Sequence, residues 1–340
     1  MNFLRRLPLE YYFVAALAVL PWLPYAGSIG SQLTIILIGA ILALGLNVVV
    51  GYAGLLHLGV AAFFGIGAYV TGILTISRFP FQIGFFGAMI ASTVIAGLAG
   101  VLLGAPTLRL RGDYLALVTL GFGEVVRFSL RNLEAITDGT RGLNPVPPPH
   151  IPGIAPANWG ADFRWFYFLA LMALVGVIVL LRNLERSRLG RALVAIREDE
   201  LAAGCMGLNV PRIKLIAFAL GAALAGFAGC LYATTLGSTA DPNAYDFNRS
   251  IIVLCCIILG GLGSIRGTLL GVVLLMGFDQ ILAPKLDEVV QSLNLGDSEF
   301  LKFSNWRLMI FGLALIITMR IRPEGLLPSS RMQHELHPES

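Results

Sequence analysis

The sequence predicts an all-α, polytopic integral membrane protein with about 8–10 transmembrane helices, Gly-rich broken helices among them, and both termini cytoplasmic. Three observations carry this. Of 340 residues, 56% are hydrophobic and only 13% charged, and mean hydropathy is +0.80. Soluble domains carry roughly 25% charged residues, so the chain holds about half the charge that a water-facing surface requires. The apolar residues fall in runs of helical-span length, where a bilayer core of ~30 Å takes about 20 residues. The Lys and Arg gather in a few short loops, so the net charge of +4 signals membrane topology rather than nucleic-acid binding.

Taken in order, the candidate spans are Tyr11–Tyr25, Gln32–Val50, Ala53–Ile76, Phe81–Gly104, Asp113–Leu130, Phe163–Leu181, Ile213–Leu236, Ile251–Ser264, Gly267–Leu282 and Leu301–Met319. Arg5 and Arg6 followed by Tyr11–Leu20 have the charged and apolar regions of a signal peptide. More apolar spans follow at once, so the segment reads as a retained first helix. The eighth and ninth spans are short, and only GGLGSIRG separates them. They are either two tilted spans or one broken helix buried in protein.

Charge asymmetry decides between these. With Arg5 and Arg6 inside, ten spans place Arg109 and Arg111, the run Arg182–Lys214, Arg266, and Arg320, Arg322 and Arg331 on the same side. That is most of the 24 Lys and Arg, as the positive-inside rule requires. The opposite side holds Arg131–Asp162 and the acidic segment Ala283–Phe300, with Asp287, Glu288, Asp297 and Glu299 against Lys285. Merging the eighth and ninth spans would put the basic C-terminus outside, so two spans are expected. The chain then reads as one transmembrane domain over residues 1–330, with a cytoplasmic loop at about 183–212, an extracytoplasmic loop at about 131–162 and a short tail at 331–340.

Glycine recurs around the third span (Gly51, Gly54, Gly59, Gly65, Gly67, Gly72) and around the eighth and ninth (Gly260, Gly261, Gly263, Gly267, Gly271). Small residues let helices approach closely, and glycine also permits breaks. Tight packing accounts for most of these positions. The sharper expectation is that two Gly-rich breaks, at Gly51–Gly54 and Gly260–Gly263, line a path near the bundle centre.

No G-x-x-x-x-G-K-[ST], H-E-x-x-H, G-x-S-x-G or Cys/His cluster occurs, which leaves no P-loop and poor support for an enzyme. Cys205, Cys230, Cys255 and Cys256 form no C-x-x-C pair and read as small packing residues. The cytoplasmic loop RSRLGRALVAIREDELAAGCMGLNVPR, Arg186–Arg212, is richer. Arg186, Arg188, Arg191 and Arg197 keep it in water, while Leu189, Leu193 and Ile196 form one apolar helical face. Glu198, Asp199 and Glu200 precede the small residues Ala202, Ala203 and Gly204, and Gly207 follows. A short helix with a small-residue tip and a glycine turn fits a groove on a partner protein; it equally fits an amphipathic helix on lipid headgroups.

Charges inside the spans are few. Glu124 and Arg127, three apart, share a helix face and are expected to pair structurally, with a substrate contact as the alternative. His57, beside a Gly-rich break, is expected to be an interior packing histidine rather than a proton relay. Asp279 and Gln280 read as ordinary interfacial residues. In the outer loop, Pro145, Pro147, Pro148, Pro149, Pro152 and Pro156 force extended chain, either a spacer or a surface for an extracytoplasmic partner.

At these residues the chain resembles the LivM-type permease subunits of branched-chain amino acid ABC importers. Five blocks carry the resemblance in the family's order: GYAGLLHLGVAAFFGIGAY from Gly51, LRLRGDYLALVTLGFGEVVR from Leu108, SRLGRALVAIREDELAAGCMGLNVPRIKLIAF from Ser187, FNRSIIVLCCIILGGLGSIRGTLLG from Phe247, and RPEGLLPS from Arg322. Ala202, Ala203 and Gly207 resemble the A-A-x-x-x-G core through which importer permeases engage their ATPases, with the acidic residue displaced by one place to Glu200. His57 stands where the family usually has Ser, and Val60 where it has His.

The resemblance implies ATPase coupling through Arg188, Gly190, Arg191, Glu200, Ala202, Ala203 and Gly207. Candidates for the translocation path are Gly51, Gly54, His57, Gly59, Glu124, Arg127, Gly261 and Gly263. It further implies a bacterial inner-membrane location, a homologous sister permease, two cytoplasmic ABC ATPases and an extracytoplasmic amino-acid-binding protein. The chain itself would hold no cofactor, ATP being bound by partner subunits, and would bind no nucleic acid. Two alternatives stay open: the same architecture carrying urea, short amides or a sugar, and a secondary transporter driven by an ion gradient, for which Glu124 is the one central carboxylate.

Overall fold

In a computed structural model of the chain, the described residues are 17–18, 20–22, 26–80, 82–107, 113–150, 159, 162–292, 303–322 and 324–328. Arg5, Arg6, Arg109, Arg111, Arg331, the tail 331–340 and most of the first predicted span lie outside them. The described elements are helical. They run α1 (Ala26–Asn47), prolonged by a π-helical turn at Val48–Tyr52; α2 (Val60–Thr75); α3 (Phe85–Thr107); α4 (Asp113–Asn132); α5 (Glu134–Thr137); α6 (Arg164–Arg186); α7 (Arg188–Glu198); α8 (Glu200–Cys205); α9 (Val210–Leu236); α10 (Phe247–Gly260); α11 (Ile265–Gly277), with a second π-helical turn at Phe278–Leu282; α12 (Ala283–Ser292); and α13 (Arg307–Ile321).

Among the described residues, six helical segments are long and apolar enough to cross a membrane: Ile29–Tyr52, Phe85–Thr107, Arg164–Arg186, Val210–Leu236, Pro242–Gly260 and Ile265–Glu288. The apolar α2 is shorter. The chain is thus a multi-pass membrane protein. Helix α1 is apolar all round, the signature of a helix buried on every side. Ile41, Ala43, Leu44 and Leu46 are fully buried, and α1 packs against α6, α9, α10 and α11. Helix α3 shows the opposite pattern. Phe86, Ile90, Val94, Leu98 and Leu102, four residues apart, form an exposed apolar stripe suited to lipid.

Lipid is as apolar as leucine, so helices in a bilayer associate by close packing rather than by hiding apolar surface. Helix α9 packs most extensively on α3, then on α2 and α1. At its crossing with α2, a Cβ added to Gly67 would stand 2.1 Å from the Gly226 carbonyl oxygen, so only glycine allows this approach.

The eighth and ninth predicted spans are two helices, α10 and α11, folded back on each other through Gly261–Ser264. Gly261 (φ 126°) and Gly263 (φ 74°) make the reversal, and the Ser264 hydroxyl caps α11 by accepting from the Gly267 N–H at 3.1 Å. The chain after α13 returns to this turn. The Leu326 N–H donates to the Leu259 carbonyl at 3.0 Å, and the Leu327 N–H to the Gly260 carbonyl at 2.8 Å. These bonds occupy carbonyls that a helix end otherwise leaves without partners.

Some boundaries differ from expectation. Residues 53–59 are not helical, so the third span begins at Val60 rather than Ala53. Gly54 turns the chain out (φ 67°), and the backbone then finds partners elsewhere, as where the Leu58 N–H donates to Thr119 Oγ1 at 3.0 Å. The expected acidic loop from Ala283 begins instead as α12, because the π-helical turn carries the α11 axis onward. In the loop expected on the outer side, residues 142–150 are non-helical, as their prolines demand. They dock on the end of α9, with the Val146 N–H donating to the Gly237 carbonyl at 2.8 Å and the Thr239 N–H to the Leu143 carbonyl at 3.1 Å. Pro152 and Pro156 lie outside the described residues.

Candidate coupling hairpin and central junction

Helices α7 and α8 form a hairpin between α6 and α9, and short-range caps define it. Ser187 Oγ accepts from the Gly190 N–H at 3.1 Å and starts α7. Asp199 ends α7 and starts α8, its Oδ1 accepting from the Leu201 and Ala202 N–H groups at 2.8 and 3.0 Å. Asn209 Oδ1 accepts from the Arg212 N–H at 3.2 Å and starts α9. Such caps are each worth about 1 kcal/mol. Ile196, Ala203 and Val210 make the hairpin's own small core, while Leu193 turns toward the main core and is fully buried.

The predicted coupling residues divide into two groups. Arg188, Arg191, Ala202 and Gly207 are exposed. Ala203 is 5% exposed and belongs to the core. Gly190 is buried at the α6–α7 corner against the Leu184 carbonyl. Glu200 turns inward and pairs with Lys214 Nζ at 2.8 Å, giving that buried ammonium its counter-charge. The composition of the loop did not reveal two apolar side chains at the tip: Leu201 and Met206 are 70% and 84% exposed beside the small residues. Cys205, expected as a packing residue, is also exposed there, because the six-residue α8 presents most of its surface outward; the other three cysteines are buried.

Beneath the hairpin the two Gly-rich breaks meet. Arg197 Nη1 donates to the Gly51 carbonyl, and the Arg197 stem covers Gly54. Asn47 Oδ1 accepts from the Gly263 N–H at 3.0 Å. A Cβ on Gly51 would lie 2.0 Å from Asn47 Oδ1 and 2.6 Å from the Gly263 nitrogen, so the approach requires glycine. Tyr52 adds a second tie by donating its hydroxyl to Glu185 Oε1 at 2.7 Å. Gly51, Gly54 and Gly263 therefore sit at one junction under α7, and Gly261 packs against the returning chain at Gly325 and Leu327. Arg197, expected to keep the loop in water, instead turns under the hairpin and, with Asn47, holds the junction together; a buried Asn in an otherwise apolar helix was the available signal for Asn47.

The remaining path candidates lie apart from it. His57 is 3% exposed and packs on Phe63 and Phe218, with ring centroids 5.6 and 5.5 Å away; among the described residues its Nδ1 has no hydrogen-bond partner. Gly59 lies against the Thr119 backbone of α4. Glu124 and Arg127 form the expected ion pair at 2.7 Å, and Arg127 also donates to Asn243 Oδ1 at 2.7 Å, which ties α4 to the turn before α10. Asp279 and Gln280, expected to be ordinary interfacial residues, instead line a cavity with Arg249 and Arg307, because the π-helical turn rotates them inward.

The multi-pass helical architecture agrees with what comparison with known proteins shows. The family model described as the branched-chain amino acid transport system permease component matches residues 28–319. The high-affinity branched-chain amino acid transport system permease protein LivM of Escherichia coli K12 is 36% identical, over 95% of this chain and 76% of the relative. The probable branched-chain amino acid transport permease LivM of Methanocaldococcus jannaschii is 26% identical, over 93% of this chain and 90% of the relative. The sister permease type is represented by LivH of Escherichia coli K12, 25% identical over 85% of this chain and 90% of the relative. No solved structure matches the chain. The chain belongs to the branched-chain amino acid transport system permease family.

Proposed function

We propose that the chain is the membrane-spanning permease subunit of an ATP-driven importer that moves branched-chain amino acids across a bacterial inner membrane. It performs no bond chemistry. A homologous sister permease completes the pore, two ABC ATPases dock on the cytoplasmic face, and an extracytoplasmic binding protein delivers the amino acid. The α7–α8 end faces the cytoplasm, as do both termini.

The observation that carries the reading is the hairpin tip. Leu201 and Met206 stand exposed beside Ala202 and Gly207, a few residues from Arg197, which bonds to Gly51 at the bundle junction. Force on the tip passes through α7 to the place where α1, α7 and the α10–α11 turn touch. Closure of the ATPase pair thereby biases the bundle between outward and inward states. Glu124, the carboxylate on which the gradient-driven alternative rested, is already committed to Arg127.

Met206→Asp tests this. The side chain is 84% exposed, so stability of the purified chain should change by no more than about 0.5 kcal/mol. Membrane insertion should persist, while ATPase co-purification and leucine uptake fall at least tenfold. Unchanged uptake would overturn the reading.

A further inference from the structure

At the end of the bundle opposite α7–α8, a cavity of about 220 Å³ opens between α1, α2, α9, α10 and α11. It combines three features that rarely share one small space. The first is Arg249, on the first turn of α10. Its guanidinium lies 5.2 Å from the centre of the Phe64 ring and 5.0 Å from that of Tyr232, with the Tyr232 hydroxyl at 3.4 Å. The two rings fix its plane, while no carboxylate among the described residues forms an ion pair with it. A half-buried guanidinium held this way is ready to receive a carboxylate in two-pronged fashion.

The second feature is Asp279, whose side chain is only 12% exposed. Its protein cation, Arg307, is half-exposed and stands 3.7 Å away, a loose contact that leaves the carboxylate able to accept another cation. The third is the wall. Ile38, Leu42, Ile252 and Met276 face the same space and offer aliphatic surface, while Asn243, Asp246, Asn248 and Gln280 line the polar remainder.

We propose that this cavity binds a zwitterionic α-amino acid with an aliphatic side chain. Arg249 takes the carboxylate, Asp279 the ammonium, and the Ile38–Leu42–Ile252–Met276 wall the side chain. The site deepens the importer reading and rests on it for the identity of the cargo. The α10 helix carries both ends of the coupling: Arg249 at its start in the cavity, and Gly260 at its other end beside the Gly51 junction. A shift of the α10–α11 turn thus moves the carboxylate-binding group relative to α1.

The test uses photo-leucine, a diazirine amino acid with free amine and carboxylate. It is given to translation-arrested cells of the native host, which carry the chain in its full assembly, and adducts are mapped by mass spectrometry. The expected result is labelling of peptides bearing Ile38, Leu42, Ile252 or Met276, suppressed by excess leucine. In R249Q, labelling and uptake at low leucine should each fall at least tenfold, with R249K intermediate. Ile252→Trp, which fills the cavity and leaves both charges in place, should block labelling even if the arginine variants fail to insert. Labelling confined to other helices, no labelling of the chain, or full labelling in Ile252→Trp would overturn the proposal. Uptake measured in the same cells separates the two readings. Cavity labelling with leucine uptake that survives ATP depletion would sink the ATP-driven importer and leave the binding site standing.

Discussion

The hairpin end and the cavity end of this bundle are built by different means. Residues close in sequence shape the α7–α8 hairpin. Ser187, Asp199 and Asn209 each bond to a backbone N–H within three positions, and Ile196, Ala203 and Val210 lie in one short stretch. The cavity draws on Ile38, Phe64, Tyr232, Arg249 and Asp279 from five separate elements. Under the proposed function the first serves as a preformed lever, whereas the shape of the second depends on how separate helices pack. Between them, the Arg197–Gly51 and Glu200–Lys214 contacts and the Tyr52–Glu185 bond fasten the lever to the bundle.

Three substitutions break or sharpen this contrast. The largest effect is expected for Gly51→Val, which forces side-chain atoms between Asn47 and Gly263 where a single Cβ already clashes. It should cost about 3 kcal/mol and lower the thermal midpoint of the purified chain while the hairpin stays intact. A midpoint equal to wild type would mean that the two breaks do not share a rigid junction. Next, Arg197→Ala removes the charged donor to the Gly51 carbonyl, at about 2 kcal/mol. The lever should still bind its ATPase but transmit poorly, so co-purification persists while leucine uptake falls several-fold. Equal loss of both would place Arg197 in docking instead. Smallest is Asp199→Ala, which removes the α8 cap at about 1 kcal/mol and loosens the tip itself. Hydrogen exchange should rise at Leu201 and Ala202 and nowhere in the cavity. Faster exchange around Arg249 would show that the two ends are not separately built.

The contrast also explains which parts were legible in the chain. The hairpin was read from sequence because its signals are local: Arg residues mark it as water-facing, Leu193 and Ile196 mark its inner face, and Asp199 and Gly207 punctuate it. Its exposed apolar tip was missed, since an exposed Met206 and a buried one look alike in composition. The cavity was missed almost entirely. Asp279 reads as an interfacial residue, Arg249 carries no reading of its own, and nothing in their sequence spacing announces that they line one cavity.

The sequence by itself determined the all-helical membrane architecture, the separation of α10 from α11, the Glu124–Arg127 pair and the place of the hairpin. Each depends on hydrophobic run length, on charge placement or on neighbours within one helical turn, and those properties are written linearly. Only the tertiary structure decided that Gly51 and Gly263 share one junction with Arg197, that Glu200 serves Lys214, and that Arg249 and Asp279 open into a single aliphatic-walled cavity. These pairings join residues from different helices, and in a bilayer the closeness of helix backbones, set by small residues such as Gly67 and Gly226, fixes which of them meet.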